Sequence, residues 1–585
     1  MSWVLGLSGL YHDSAAVLLH EGRVVAAASE ERFTRVKHDA TFPIQSARWC
    51  LAHAGISVTD LTHVTWYEKP LRKFERMLVT QLTEFPRSAR AFRRSTFNWL
   101  TDKLWVKSAI VTGLGVPPGR VLFSDHHLSH AASAFYPSPF AEAAVLTVDG
   151  VGEWATTSLY RGGPKGLELL AELRFPDSIG LVYSAFTAYL GFQVNDGEYK
   201  VMGMAAFGEP RFEALVRKVL RLRDDGAFDV DLTYLRYHWS AEESYSPALE
   251  ALFGAARFPG SPFDPTTAEG KRWADIAASV QKVTQDALLG LARNLHARTG
   301  LPDLCLAGGV ALNSVANHAL LTQGPFTRLF VQPAAGDAGG AMGAALWTWH
   351  EVMGMPRDPD ALPLTPDLGQ AWEDDTIGKL LVDLKVRHEV LGPEALVERA
   401  TADLVEGRVL GWFQGRFEWG PRSLGHRSIL ADARRPDMQA RINEKVKFRE
   451  PFRPFAPSVL AGAEGDYFEI PAGGEALAEW MLVVAPVRPG ADGAVALPAV
   501  THVDGTARVH IVRRAANPLF HELLRTFGAA TGVPVLLNTS FNLKGEPIVA
   551  SPVQALATFF RSGLDVLYLG GHRVEQADTD PAPLA

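Results

Sequence analysis

A chain of 585 residues is longer than one hydrophobic core can organise, so at least two domains are expected. Its 47% hydrophobic and 21% charged content is ordinary for a globular protein, and a net charge of −8 gives no reason to expect nucleic-acid binding. Only Cys50 and Cys305 occur, which argues against a disulfide scaffold or a thiolate metal site and fits a reducing compartment. The start, MSWVLGLSGLYHDS, has no basic leader. No window reaches the roughly 20 apolar residues of a spanning helix. A cytoplasmic protein without a membrane partner is expected.

Trp3 to Leu7 reads as a strand meeting a Gly6/Gly9 loop, and Ala15 to Leu19 and Val24 to Ala28 as two strands joined across Glu21-Gly22. Pro43 to Ala54 and much of Leu71 to Val111 read as helix. Arg87, Arg90, Arg93 and Arg94 form a basic cluster whose plainest reading is a solvated helix face. His126 and His130 then stand four residues apart, so on a helix both imidazoles leave one face and can reach one metal ion. Asp149, just past the apolar run Ala143 to Val148, can add a carboxylate from a strand end. Two imidazoles and a carboxylate with open positions suit a catalytic ion better than a closed structural one. The plain alternative is a helix whose histidines bind nothing.

The strand Ala143 to Val148, the loop Asp149-Gly150-Val151-Gly152 and the hairpin Ala155 to Tyr160 with Leu167 to Leu173 repeat the N-terminal pattern. A duplicated α/β unit follows, and two such units form an actin-like ATPase architecture. Asn195 to Lys200 with Gly203 is a polar loop that lines this cleft or is merely a surface turn. Asp224 to Pro265 reads as an irregular insertion and Trp273 to Ala297 as a helix. Gly308-Gly309, with Asn313 after it, and Gly336-Asp337 each follow a strand and open a helix, an arrangement that brings backbone N–H groups to a ligand. Asp337 then sits where a second carboxylate meets the ion.

Pro356 to Pro366, rich in proline and aspartate, cannot be a helix or a central strand and marks a boundary. The expected domains are 1–355 and 393–585, with 356–392 between them. Beyond a helix from Pro393 to Glu406 and a strand from Val409 to Phe413 the cations gather: Arg416, Arg422 and Arg427, then Lys445, Lys447, Arg449 and Arg453, and later Arg508. On a strand, Lys447 and Arg449 would point into one pocket, which Ser540 and Asn542 can complete. Such cations in an acidic chain point to a bound polyanion rather than an ion-pair network.

The strings HDSAA, EERFTRVKHD, DHHLSHAASAF, EYKVMGMAAFG, GGVALN, GPRSLGHRS, KVKFREPFRPFAPS and LNTSFNLKGEPI resemble the NodU/CmcH family of O-carbamoyltransferases over nearly the whole chain. The resemblance implies an N-terminal actin-like (ASKHA, duplicated RNase H-like) TsaD-like domain and a C-terminal YrdC-like α/β domain. Lys447-Phe448-Arg449 and Ser540-Phe541-Asn542 match the YrdC signature. It implies that the second domain forms carbamoyl-adenylate from carbamoyl phosphate and ATP, using Arg416, Arg422, Arg427, Lys447, Arg449, Arg508, Ser540 and Asn542. The first would hold nucleotide through Gly9, Gly150, Lys200, Gly203, Gly308, Gly309 and Asn313 and pass the carbamoyl group to a hydroxyl. His126, His130, Asp149 and Asp337 would bind a divalent ion, iron by resemblance, with magnesium accompanying ATP. The residues themselves do not choose iron over manganese, zinc or magnesium. His127 stays open as a substitute ligand or phosphate donor. His12 is the expected base, Lys37 its electrostatic support, and Arg449 neutralises phosphate charge. The acceptor is expected to be a secondary metabolite, such as an antibiotic sugar or macrolide, or a lipo-oligosaccharide. The rival readings are transfer to a non-hydroxyl nucleophile and an ATP-gated regulatory protein. An arginine-rich second domain argues against the latter, because a switch has no need of another anion pocket. Oligomeric state is not legible.

Overall fold

The computed structural model describes residues 2–101, 103–358, 364–450, 452–490 and 496–576. It divides into two compact units, residues 1–30 with 38–364 and residues 31–37 with 365–585. None of the described helices is long and apolar enough to cross a membrane.

The first unit contains one sheet topology twice. Strands β1 (Trp3–Ser8), β2 (Ala15–His20), β3 (Arg23–Ser29), β4 (Leu61–Trp66) and β5 (Val121–Phe123) lie in the order β3-β2-β1-β4-β5. The first three form an antiparallel meander, and β4 and β5 run parallel to β1. Strands β6 (Ala143–Val148), β7 (Ala155–Gly163), β8 (Gly166–Arg174), β9 (Asp303–Ala307) and β10 (Arg328–Phe330) repeat this as β8-β7-β6-β9-β10, with the same directions. This is the duplicated RNase H-like, actin-like fold that the repeated motif implied. The central strand of the second sheet is buried at every position, so it reads as an unbroken apolar run rather than an alternating one.

The helix Asp337–Trp347 (DAGGAMGAALW) packs closely on the helix His126–Phe135 because its residues are small. A Cβ on Gly343 would lie 1.7 Å from the carbonyl oxygen of Ser129. Gly343→Val is therefore expected to force the helices apart at a cost of about 3 kcal/mol, seen as a lower melting temperature.

In the second unit, strands β11 (Glu389–Val390), β12 (Leu410–Phe413), β13 (Arg427–Asp432), β14 (Ala456–Leu460), β15 (His510–Val512), β16 (Val535–Ser540), β17 (Val566–Leu569) and β18 (His572–Glu575) form a mixed sheet. Their order is β11-β18-β17-β12-β13-β16-β14-β15. Leu396, Leu404, Phe520 and Phe527, from the helices Pro393–Val405 and Pro518–Thr531, share one core with Trp412 and Tyr568.

Three expectations change here. The expected boundary segment 356–392 is divided: from 365 onward it belongs to the second unit, with a helix (Asp374–Asp383) and β11. Residues 359–363 of the proline-rich stretch lie outside the described residues. Residues 31–37 also belong to the second unit. Arg32 donates to the carbonyls of Gly420 and Ile548, and Arg35 to those of Pro547 and Ile548. Finally, Lys447 and Arg449 are not on a strand. Asn443–Lys447 is a π-helical turn, and Phe448 reverses the chain with a left-handed φ of 48°.

Candidate functional site

In the first unit, strand ends and helix starts bring four side chains together. His126 and His130 occupy the first turns of their helix, Asp149 follows β6, and Asp337 begins the helix that packs beside them. Both oxygens of Glu153 accept from the His126 backbone N–H at 3.1 Å, which holds the start of that helix in place. Asp149 is seated by Gly309, whose N–H donates to Oδ1 at 2.9 Å. The preceding Gly308 has φ 94°, and a Cβ there would lie 2.2 Å from the Val148 carbonyl oxygen. The close approach that this glycine permits is thus to the chain's own backbone.

His126 Nε2 is 3.0 Å from Asp149 Oδ2, 3.1 Å from His130 Nε2 and 3.6 Å from Asp337 Oδ1. His130 Nε2 lies 3.5 Å from each of those two carboxylate oxygens. One donor atom of each residue falls within 4.8 Å of all the others. Asp337 Oδ1 is buried without a hydrogen-bond partner, as is Nδ1 of both histidines. Buried polar atoms are ordinarily satisfied, so facing nitrogen and oxygen donors with an orphaned carboxylate oxygen fit a cation.

The electrostatics agree. Burial alone would depress His126, but the carboxylates of Asp149, Glu68 and Asp337 prevail and raise it to about 10. His130 is also raised, against burial, by Asp149 and Asp337. Burial would raise Asp149, yet the two imidazoles hold it far below the carboxylate range. Protons on the imidazoles balance the carboxylates, and a divalent ion must displace them. Titration calorimetry with Mn²⁺ is therefore expected to show proton release, and affinity that rises from pH 6 to pH 8.

His127 does not join the cage. Its Nδ1 meets Thr147 Oγ1 at 2.7 Å on β6, because adjacent helix positions point about 100° apart. Around the cage are residues that the sequence reading passed over. Glu68, just past β4, has Oε2 3.7 Å from His126 Nδ1 and accepts from Lys73 Nζ at 2.6 Å. The available signal was its place after an apolar strand, the same place that revealed Asp149. His12 reaches the cage rim: Nε2 is 3.6 Å from Asp337 Oδ2. Burial lowers its pKa, but Asp337 and Asp13 raise it to about 9.

The other residues expected at the nucleotide lie as follows. A Cβ on Gly9 would be 2.7 Å from Ser14 Oγ, and the Gly150 carbonyl accepts from Ser178 Oγ at 2.7 Å. Lys200 and Gly203 share the helix Glu198–Ala205, with the Lys200 ammonium 5.7 Å over the Phe192 ring. Asn313 caps the helix Ser314–Gln323 through Ala316 N–H and pairs with Gln281, a structural task not foreseen for it.

The second unit holds a cluster of cationic residues. Lys447 Nζ donates to Asn542 Oδ1 at 2.8 Å, to the Asn542 carbonyl at 3.0 Å and to the Ser540 carbonyl, which joins the two halves of the signature. Burial pushes the Lys447 pKa far down, and Arg449, Arg453 and Lys37 push it further. Arg508 is depressed by burial and by Arg422, Arg449 and Arg453, and its Nε is buried without a partner. Arg453 pairs with Glu450 at 3.6 Å. Like charges held together away from water are costly, and a polyanion relieves that cost.

Lys37 is among the cations acting on Lys447 in the second unit. Arg427 donates to the carbonyls of Gln414, Gly415 and Gln370 at 2.6, 3.0 and 3.2 Å and stacks over Phe413. Arg416 donates to the carbonyls of Leu368 and Gly369 at 2.6 and 2.8 Å. Both donate to backbone carbonyls and shape the loop, as Lys447 does with Ser540 and Asn542.

Fold and sites together define an actin-like α/β protein with four residues that could hold a metal ion and, in its second unit, a cluster of cations. Family models described as "Carbamoyltransferase N-terminus" and "Carbamoyltransferase C-terminus" match residues 3–346 and 401–576. An uncharacterized protein of Synechocystis is 46% identical over 97% of this chain and 96% of its own length. Nodulation protein NolNO of Sinorhizobium fredii is 38% identical over 97% and 80%. Nodulation protein U of Rhizobium fredii is 28% identical over 93% and 91%. The chain belongs to the carbamoyltransferase family, and by that membership it is a transferase.

Proposed function

We propose that this protein is an ATP-dependent O-carbamoyltransferase that works in two stages. Arg449, Arg508 and Lys447 grip carbamoyl phosphate and ATP in the second unit. Water cleaves carbamoyl phosphate to carbamate and inorganic phosphate, a carbamate oxygen then bonds to the α-phosphorus of ATP, and pyrophosphate leaves as carbamoyl-adenylate forms. The cations neutralise phosphate charge throughout. In the first unit the hydroxyl of a small-molecule acceptor, a sugar or other secondary metabolite, attacks the carbamoyl carbon and AMP leaves. His126, His130, Asp149 and Asp337 would hold a divalent ion, iron by family resemblance, whose charge would favour the departing AMP phosphate. His12 takes the acceptor's proton at Nε2. Asp337, which raises His12, is itself a cage donor, so an ion held there would lower His12 toward the working range.

The observation that carries this reading is that Arg449 and Arg453 bear on both Lys447 and Arg508, each held below its usual pKa by burial and neighbouring cations, within the second unit. The test is pyrophosphate release from ATP that depends on carbamoyl phosphate, followed by mass spectrometry for one added carbamoyl group on candidate alcohols. Absence of release with every acceptor tried would favour a regulatory, ATP-gated protein instead.

A further inference from the structure

His12 is the first member of a hydrogen-bonded chain. Its Nδ1 donates to Asp13 Oδ2 at 3.0 Å, and the other Asp13 oxygen accepts from His38 Nδ1 at 2.7 Å. His38 Nε2 meets Asp196 Oδ1 at 3.1 Å. The four side chains are 21–33% exposed, so they line an accessible edge rather than the core. Each of the three segments involved carries left-handed backbone at non-glycine residues: Leu10 and Asp13 (φ 66° and 52°), His38 (φ 54°) and Asn195 (φ 65°). L side chains seldom adopt this conformation, and it persists where the surroundings impose it, most often at functional sites. Ser14 N–H donates to the Asp39 carbonyl at 2.9 Å, which ties the first two segments together.

An imidazole accepts a proton only at the nitrogen that lacks one, so the group bonded to the other nitrogen decides its role. We propose that Asp13 and His38 are positioning residues for His12. Asp13 fixes the proton on Nδ1 and turns the Nε2 lone pair toward the cage, and His38, tethered by Asp196, holds Asp13 in register. The inference rests on the reading of His12 as base. In the step it serves, the acceptor oxygen bonds to the carbamoyl carbon while its proton passes to His12 Nε2. The bond from that carbon to the adenylate oxygen breaks, and its electron pair leaves with AMP. The resulting imidazolium stays paired with Asp13.

The test uses the full-length, metal-loaded enzyme with Asp13→Asn and His38→Gln. Asp13→Asn is expected to lower kcat about 100-fold or more with the acceptor KM little changed, and His38→Gln about 10-fold. Bound metal and carbamoyl phosphate-dependent pyrophosphate release should stay at wild-type levels. In ¹⁵N-histidine spectra, the Nδ1–H signal assigned through His12→Asn should be lost in Asp13→Asn. Unchanged kcat in both variants would overturn the inference, as would a loss that tracks loss of metal or of pyrophosphate release. Full turnover by His12→Asn would instead overturn the base reading itself, and this inference with it. If Asp13→Asn does not fold, His38→Gln carries the same comparison.

Discussion

His126→Ala is expected to lower carbamoyl transfer by about 1,000-fold or more while leaving carbamoyl phosphate-dependent pyrophosphate release near wild type. Charge stabilisation of about 4 kcal/mol at a leaving phosphate corresponds to that factor. The imidazole it removes is the one whose Nε2 lies within 3.6 Å of three other cage donors. Its loss leaves Asp149 and Asp337 sharing one imidazole. The metal-free variant should therefore also be less stable by about 3 kcal/mol, a typical consequence of breaking a buried pair. The two stages are assayed separately, so the outcome is diagnostic. Equal loss of both activities would mean that His126 serves the fold, and full transfer would remove the cage from the mechanism.

Arg508→Met should act in opposite directions on activity and stability. Pyrophosphate release is expected to fall about 100- to 1,000-fold, because a preorganised charge facing the phosphates is gone. The ligand-free protein should become more stable by about 1 kcal/mol, since Arg508 is depressed by burial, Arg422, Arg449 and Arg453 and its Nε has no partner. Differential scanning fluorimetry with and without inorganic phosphate checks this: phosphate should stabilise wild type more than the variant. A lower melting temperature without ligand, with release intact, would show a structural ion-pair network in place of a ligand pocket.

The Lys447 shift sets a pH dependence of known sign. A lysine held well below its usual pKa gives up a proton on folding, so the unfolded chain binds more protons. The stability of the ligand-free protein therefore rises with pH up to the normal lysine range and falls as pH drops toward the depressed value. A bound polyanion raises the Lys447 pKa and removes this dependence.

How far the sequence reaches is clearest from pairs of similar residues with different fates. Arg422 and Arg427 stand in one glycine-rich loop and looked equivalent. Arg422 acts on Arg508, whereas Arg427 is enclosed by four carbonyls of its own and neighbouring loops. Nothing in local spacing separates them, because the deciding partners are backbone oxygens brought in by the fold. Lys37 is a sharper case. It lies between the third and fourth strands of the first sheet in sequence, yet Arg32 and Arg35 anchor its segment on carbonyls more than 500 positions away at Ile548. Lys447 and Arg449 lie close enough to act on one another, but through a π-helical turn and a left-handed Phe448 rather than through strand alternation.

What the sequence determined alone is whatever depends on short-range periodicity. The i, i+4 histidines follow from helix geometry, Asp149 from its place at the end of an apolar run, and the duplicated sheets from repeated strand, loop and hairpin. Tertiary structure decided which charges face one another. It set the 3.0–3.6 Å distances from His126 to the other cage donors, the chain from His12 to Asp196, and the division of the arginines between backbone and pocket. Coulombic and hydrogen-bond energies depend on separations in space, and those exist only once distant segments have packed.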